Sequence, residues 1–194
     1  MWPFLSFSTL TDPQDIETFS QEYARCSGFV VQRDYYETNR VFAVRRNGRM
    51  VGGFVLGSGA VLRTLEVFAG NEARQRLYEH VRQANNTTEM CCFWIDPVVR
   101  KKFWQNLYVW LCVAFALQVY GRQRLIFGTN SARLAALYNS SRKSELLHSD
   151  CIREKQTFIF TGRRSDCLIG IVNILGYKIS RLMQIKRFVS LQIN

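Results

Sequence analysis

Arg100, Lys101 and Lys102 stand in a row three residues after Pro97, where an apolar run gives way to a long stretch without a charge. Residues 90–95 read as a strand, Pro97 ends it, and Phe103–Tyr120 reads as a helix. The first N–H groups of a helix lack intrahelical partners, so a strand–turn–helix junction is an anion site. Three cations stand at that junction and suit an anion. Two carboxylates lie close in sequence, Glu89 where the strand begins and Asp96 where it ends. The six cysteines show no C-x-x-C spacing and no paired histidine, which speaks against a metal site and for thiols in a reducing cytosol. Strict strand alternation would send the neighbours Cys91 and Cys92 to opposite faces. His80 falls on a charged helix face, and His148 follows a Ser-Arg-Lys-Ser-Glu stretch.

The elements that must position these residues are legible in outline. Thr11-Asp12-Pro13 is an N-cap and first-turn pattern that opens a helix over 15–26. Asn47-Gly48 between two apolar runs, 40–46 and 50–56, is a hairpin signal. A helix over 72–83, a strand over 88–95 and a helix over 101–120 follow, then a strand at 124–128, a helix at 132–139 and a strand at 156–161. The order implied is β-α-β-β-α-β-α-β-α-β, a mixed sheet with helices on both faces. Residues 107–117 are nearly all apolar but too few to span a bilayer, so a helix buried on all sides of a soluble core is expected. Leu168, Val172, Leu175, Ile179 and Leu182 recur at helical spacing among cations, predicting a basic amphipathic helix over 165–194. That helix is read either as packed on the core or as a surface for a membrane or a carrier protein. The N-terminus lacks the basic region and long apolar core of a signal peptide.

With 194 residues, 47% of them apolar, the chain can bury a sizeable core. The net charge of +11 favours anionic partners: nucleic acid, an anionic membrane, a phosphorylated cofactor or an acidic protein.

The strand–Pro97–Arg100–helix order resembles the acyl-thioester-binding segment of the GNAT N-acyltransferase superfamily. Two further features extend the resemblance over residues 40–162: the central hairpin, and Phe127-Gly-Thr-Asn-Ser-Ala-Arg-Leu-Ala-Ala-Leu-Tyr138. It implies an α+β fold, a mixed and mostly antiparallel sheet with helices on both faces. The whole chain would form one domain, with core 40–162, an N-terminal helical cap over 1–39 and the C-terminal helix. It also implies an acyl-CoA or acyl-phosphopantetheine donor, an amine acceptor and no metal. Phe93, Trp94 and Ile95 would line the pantetheine arm. Val99, Arg100, Lys101, Lys102, Phe103, Trp104 and Gln105 would form the phosphate turn, and Asn130 would stand at the next strand's exit. A strand N–H would face the thioester carbonyl, as an oxyanion donor does. Tyr138 takes the family's position for the acid that protonates the leaving thiolate, with Glu89 or Asp96 as base. Lys101 and Phe103 stand where the family carries glycines. This departure points away from acetyl-CoA and toward branches that move medium or long acyl chains, with an acidic carrier protein among the partners. The aromatic residues Phe93, Trp94, Phe103, Trp104, Tyr108 and Trp110 could line an acyl tunnel or build ordinary core.

Two other readings compete. A nucleic-acid binder would fit the charge, yet acidic residues interleave with the basic ones and no binding motif appears. A non-catalytic GNAT-like scaffold at a membrane surface would fit the basic C-terminal segment.

Overall fold

The computed structural model describes residues 4–58, 62–66, 86–152 and 155–173. The expected helix over 72–83, His80 on it, and most of the expected C-terminal helix lie outside those residues. Strand β1 (Leu5–Leu10) precedes helices α1 (Pro13–Ser27) and α2 (Arg33–Thr38). Asp12 caps α1 by accepting from the Gln14 N–H at 2.7 Å, and Gly28 ends it in the left-handed conformation. The hairpin strands β2 (Arg40–Arg46) and β3 (Arg49–Gly57) follow. Asn47 (φ 51°) and Gly48 (φ 80°) give their turn the two positive φ angles that match strand twist.

A short helix, α3 (Arg63–Glu66), lies ahead of the long strand β4 (Thr87–Ile95). Then come α4 (Pro97–Arg100), α5 (Phe103–Tyr120), β5 (Arg124–Thr129), α6 (Ala132–Ser140), β6 (Ser144–Ile152) and β7 (Lys155–Arg163). A 3-10 turn over Arg164–Asp166 leads into helical residues 167–173, α7.

All seven strands form one sheet in the order β1-β2-β3-β4-β5-β7-β6. Every neighbouring pair is antiparallel except β4 with β5. That parallel pair holds only from Thr87↔Arg124 to Met90↔Phe127. Beyond Met90 the two strands part, and the edge of Cys91–Ile95 that would face β5 is left unpaired by it. One face of the sheet carries α1 and α2 over Phe19, Tyr36, Val41 and Val55. The other carries α5 over Phe42, Phe54, Leu56 and Met90. Gly53 brings the first layer close: a Cβ there would come 2.6 Å from the Phe19 ring.

Three expectations are corrected. α5 is not buried all round, because Trp104, Leu111, Phe115 and Val119 form an exposed apolar stripe along it. A helix laid across one face of a sheet buries only the flank it turns to that sheet. α5 also begins at Phe103, after the separate one-turn α4 that Asp96 caps through the Val98 N–H at 2.8 Å. Residues 1–39 are more than a helical cap, since Leu5–Leu10 supplies an edge strand. Among the described residues no helix is long and apolar enough to cross a membrane.

Candidate active site

β4 does not alternate as a regular strand does. Gly53 pairs with Trp94 and Val55 with Cys91, so three steps along β4 match two along β3. The extra residue is a β-bulge at Cys92, whose φ is +52°. Cys91 and Cys92 therefore point to the same face, their sulfurs 3.6 Å apart, against the expectation from alternation. Glu89 and Trp94 share that face, whereas Met90, Phe93 and Ile95 look toward α5.

On the α5 side, a cavity of about 90 Å³ lies against the last paired step of β4 and β5, Met90 with Phe127. Its walls are mainly apolar: Met90 and Phe127 from the strands, Trp110, Val113 and Leu117 from α5, and Ile171 from α7. Tyr138 enters it from α6, its ring 4.9 Å from Phe127, 5.4 Å from Phe160 and 6.3 Å from Trp110. Its backbone carbonyl accepts from the Ser141 and Ser144 hydroxyls at 2.7 and 2.8 Å, which fixes the end of α6. The phenol makes no hydrogen bond to another described residue, and burial pushes its pKa well up. It is an un-ionised O–H donor aimed into an apolar space. Phe93 packs at a tilt against Trp110, ring centroids 4.7 Å apart, and links this cavity to the open edge of β4.

Farther along β4, Ile95 and Val99 are buried beneath α5 with Val109. Arg100 bonds the Ile95 carbonyl at 3.0 Å through its guanidinium. Lys101 and Lys102 are exposed. Lys102 is the N-cap of α5 and no side chain caps it, so the first N–H groups of α5 carry no side-chain partner. Phe103 and Trp104 stand exposed beside it, and the Gln105 side-chain carbonyl oxygen is buried without a partner among the described residues. Trp94 is on the opposite face, 2% exposed and packed on Phe19 at 6.1 Å, so its ring lines no part of this cleft. Asn130 donates to the Thr157 hydroxyl at 2.6 Å and ties the exit of β5 to β7.

The α1–α2 side is polar. Glu89 is 0% exposed and takes four donors: Tyr35 Oη at 2.8 Å, Arg63 N at 2.9 Å, and both N and Oγ1 of Thr64. It caps α3 and leaves neither oxygen without a donor. Asp96 is likewise engaged, by Val98 N and by Arg25 and Arg49 at 3.8 and 3.9 Å. Tyr35 Oη also lies 2.9 Å from Cys91 Sγ. Burial, then the Cys91 and Glu89 charges, pushes the Tyr35 phenol up, and burial does the same to the Cys91 thiol. His148 lies on β6, 3.8 Å from Asp150. All six cysteines are free thiols. Among the described residues, no three His, Cys, Asp or Glu side chains gather as a metal site requires.

No protein-family model matches the chain, and no curated protein sequence does. Solved structures do match. FeeM, an N-acyl amino acid synthase from uncultured soil microbes, superposes with a TM-score of 0.62 at 11% identity, covering 86% of this chain and 94% of that one. The chain has the GNAT fold. MesI, a CoA-dependent acyl-homoserine lactone synthase, superposes at 0.55 with 11% identity, over 88% of this chain and 93% of its own. The polyamine N-acetyltransferase of Drosophila melanogaster gives 0.56 at 13% identity, over 82% and 100%. The parted strands, the bulge and the α5 N-terminus thus sit on a GNAT scaffold. The residues that the sequence left unremarked here are Tyr35, Arg63 and Thr64. They meet Glu89 only because α2 and α3 fold over β4.

Proposed function

We propose that this protein is an N-acyltransferase that moves an acyl group from a pantetheine thioester to an amine. The parting of β4 from β5 after Met90, with Tyr138 in the cavity beside the last paired step, carries this reading. A pantetheine arm would lie along the unpaired edge of Phe93–Ile95. Its phosphate would meet the uncapped N-terminus of α5 together with Lys101 and Lys102. The thioester carbonyl would reach the Cys92 bulge, where a backbone N–H released from the ladder stabilises the oxyanion. The amine nitrogen bonds to the carbonyl carbon and the C–S bond breaks. Tyr138 gives its proton to the leaving sulfur, and the amine's proton returns to the tyrosinate, so the charges balance within the site. Glu89 and Asp96 hold the scaffold in this scheme.

The apolar walls beyond Tyr138 favour a medium or long acyl chain over acetyl. The FeeM and MesI likenesses support acyl chemistry on such a fold, MesI with CoA. Exposed lysines on a +11 chain suit an acidic carrier protein equally. Native mass spectrometry with octanoyl-CoA and octanoyl carrier protein in parallel tests the reading. The expected result is binding of at least one donor and, with an amine mixture, a product heavier by the acyl mass. Binding of neither donor overturns it.

A further inference from the structure

The outer flank of α5 carries Trp104, Leu111, Phe115 and Val119, each between 44% and 65% exposed. At 3.6 residues per turn these four positions fall within an arc of about 80° and run along about 22 Å of helix. Tyr108, half-buried, lies inside the same arc. An uncharged strip of that length differs from the single apolar side chains that any surface scatters. The turn into α7 is tied to α5 by Gln118, which donates to the Arg164 carbonyl at 2.7 Å, and α7 adds exposed Leu168 and Val172. Cations stand at both ends of the strip. Lys101 and Lys102 are exposed just before it, and at the far end the Arg40 guanidinium sits 4.6 Å over the Tyr120 ring. From Pro97 to Ser144 the sequence has no Asp or Glu.

We infer that this flank of α5 rests on an anionic lipid bilayer, with the apolar strip at the headgroup–acyl boundary and the terminal cations on lipid phosphates. The inference goes beyond the acyl-transfer reading and does not need it. A helix laid on a sheet is a convex ridge, and a bilayer takes up such a ridge without a matching groove. An indole beside two lysines at the end of an apolar strip suits the headgroup level, where aromatic rings and cationic stems both gain. Anionic lipid meets no acidic side chain along this stretch of the chain. A second copy of the protein would instead set like charges against each other on a chain of net charge +11.

The test is flotation of the full chain, without acyl donor, with vesicles of phosphatidylcholine alone and of equimolar phosphatidylcholine and phosphatidylglycerol. Binding to the mixed vesicles should be at least about tenfold stronger than to the neutral ones, and high salt should shrink that preference. Leu111→Gln combined with Val119→Gln should weaken binding to the mixed vesicles at least about tenfold. Both positions are exposed in the free protein, so the urea unfolding midpoint should stay where it is. Neither belongs to the donor turn, so octanoyl-CoA should bind the double variant as it binds the parent. Failure to float with either vesicle, equal flotation with both, or a double variant that floats like the parent overturns the inference. A parent that is dimeric by sedimentation, monomeric in the double variant and indifferent to vesicles assigns the strip to a second copy instead. Flotation without octanoyl-CoA binding keeps this inference and removes the acyltransferase reading. Octanoyl-CoA binding without flotation does the reverse.

Discussion

The two faces of β4 handle polar groups in opposite ways. On the α1–α2 side, Glu89 gathers four donors, and the surrounding phenols, thiols and guanidinium form one connected nest. On the α5 side, Tyr138 presents a hydroxyl with no hydrogen bond among the described residues to an apolar cavity. A saturated buried acid stabilises the fold, because removing it strands each of its donors. An unsaturated donor in a cavity contributes little to stability and is available to a ligand. Saturation therefore separates a buried acid that holds the fold from a donor left open to a ligand, across one strand.

The sharpest way to break this contrast is Glu89→Ala. It leaves two α3 amides and the Tyr35 hydroxyl without an acceptor, and should lower stability by about 3–5 kcal/mol. Urea unfolding with a loss under about 1 kcal/mol would mean that Glu89 is not holding α3. Tyr138→Phe should show the reverse pattern, a fall in turnover of about one to two orders of magnitude with an unchanged unfolding midpoint. Unchanged turnover removes the acid role.

Next in size is the bulge between the faces. A β-branched side chain is strained at a φ of +52°, so Cys92→Val should cost about 2 kcal/mol, whereas Cys92→Gly should stay within about 1 kcal/mol. Equal losses would show that the thiol, not the backbone, matters there. Reversing charge at Lys101 and Lys102 should raise the donor KM, and high salt should shrink that effect. A salt-independent KM in the parent would place the phosphates elsewhere.

The smallest effect belongs to the α5 side alone. Burial pushes the Cys112 thiol up to about 11 and, with Asp166 beside it, the Cys167 thiol up to about 12. Each folded value lies above that of an unfolded thiol, about 8.5. The folded state then holds protons that the unfolded state has released, so stability is constant below about pH 8.5 and falls as pH rises toward 11–12. At pH 8, iodoacetamide should reach the exposed Cys151 before either. Rapid labelling of Cys167 would show the cavity to be wet.

Local chemistry made much of this fold readable from sequence. Asp12-Pro13 and Asn47-Gly48 specify their caps and turns within two or three residues, and both form as written. The strand, Pro97 and helix follow one another in the expected order, and Tyr138 falls on α6. What stayed hidden depends on partners distant in the chain. β6 carries Glu145, His148 and Asp150 and offers no strand signal of its own, yet it pairs with β7 from Ser144 to Ile152. Glu89 looks like a strand-end charge until Thr64, 25 residues earlier, folds onto it. Nothing in Cys91-Cys92 announces a bulge, which is defined only by counting against β3.

That count has a consequence for anyone comparing related chains. Before the bulge, odd positions of β4 such as Glu89 and Cys91 face α1 and α2; after it, even positions such as Trp94 do. Cys92 switches the strand's parity. An alignment that slips by one residue between Glu89 and Trp94 would exchange the two surfaces downstream, transferring residues of the α5 side to the α1–α2 side while every residue type still looked plausible.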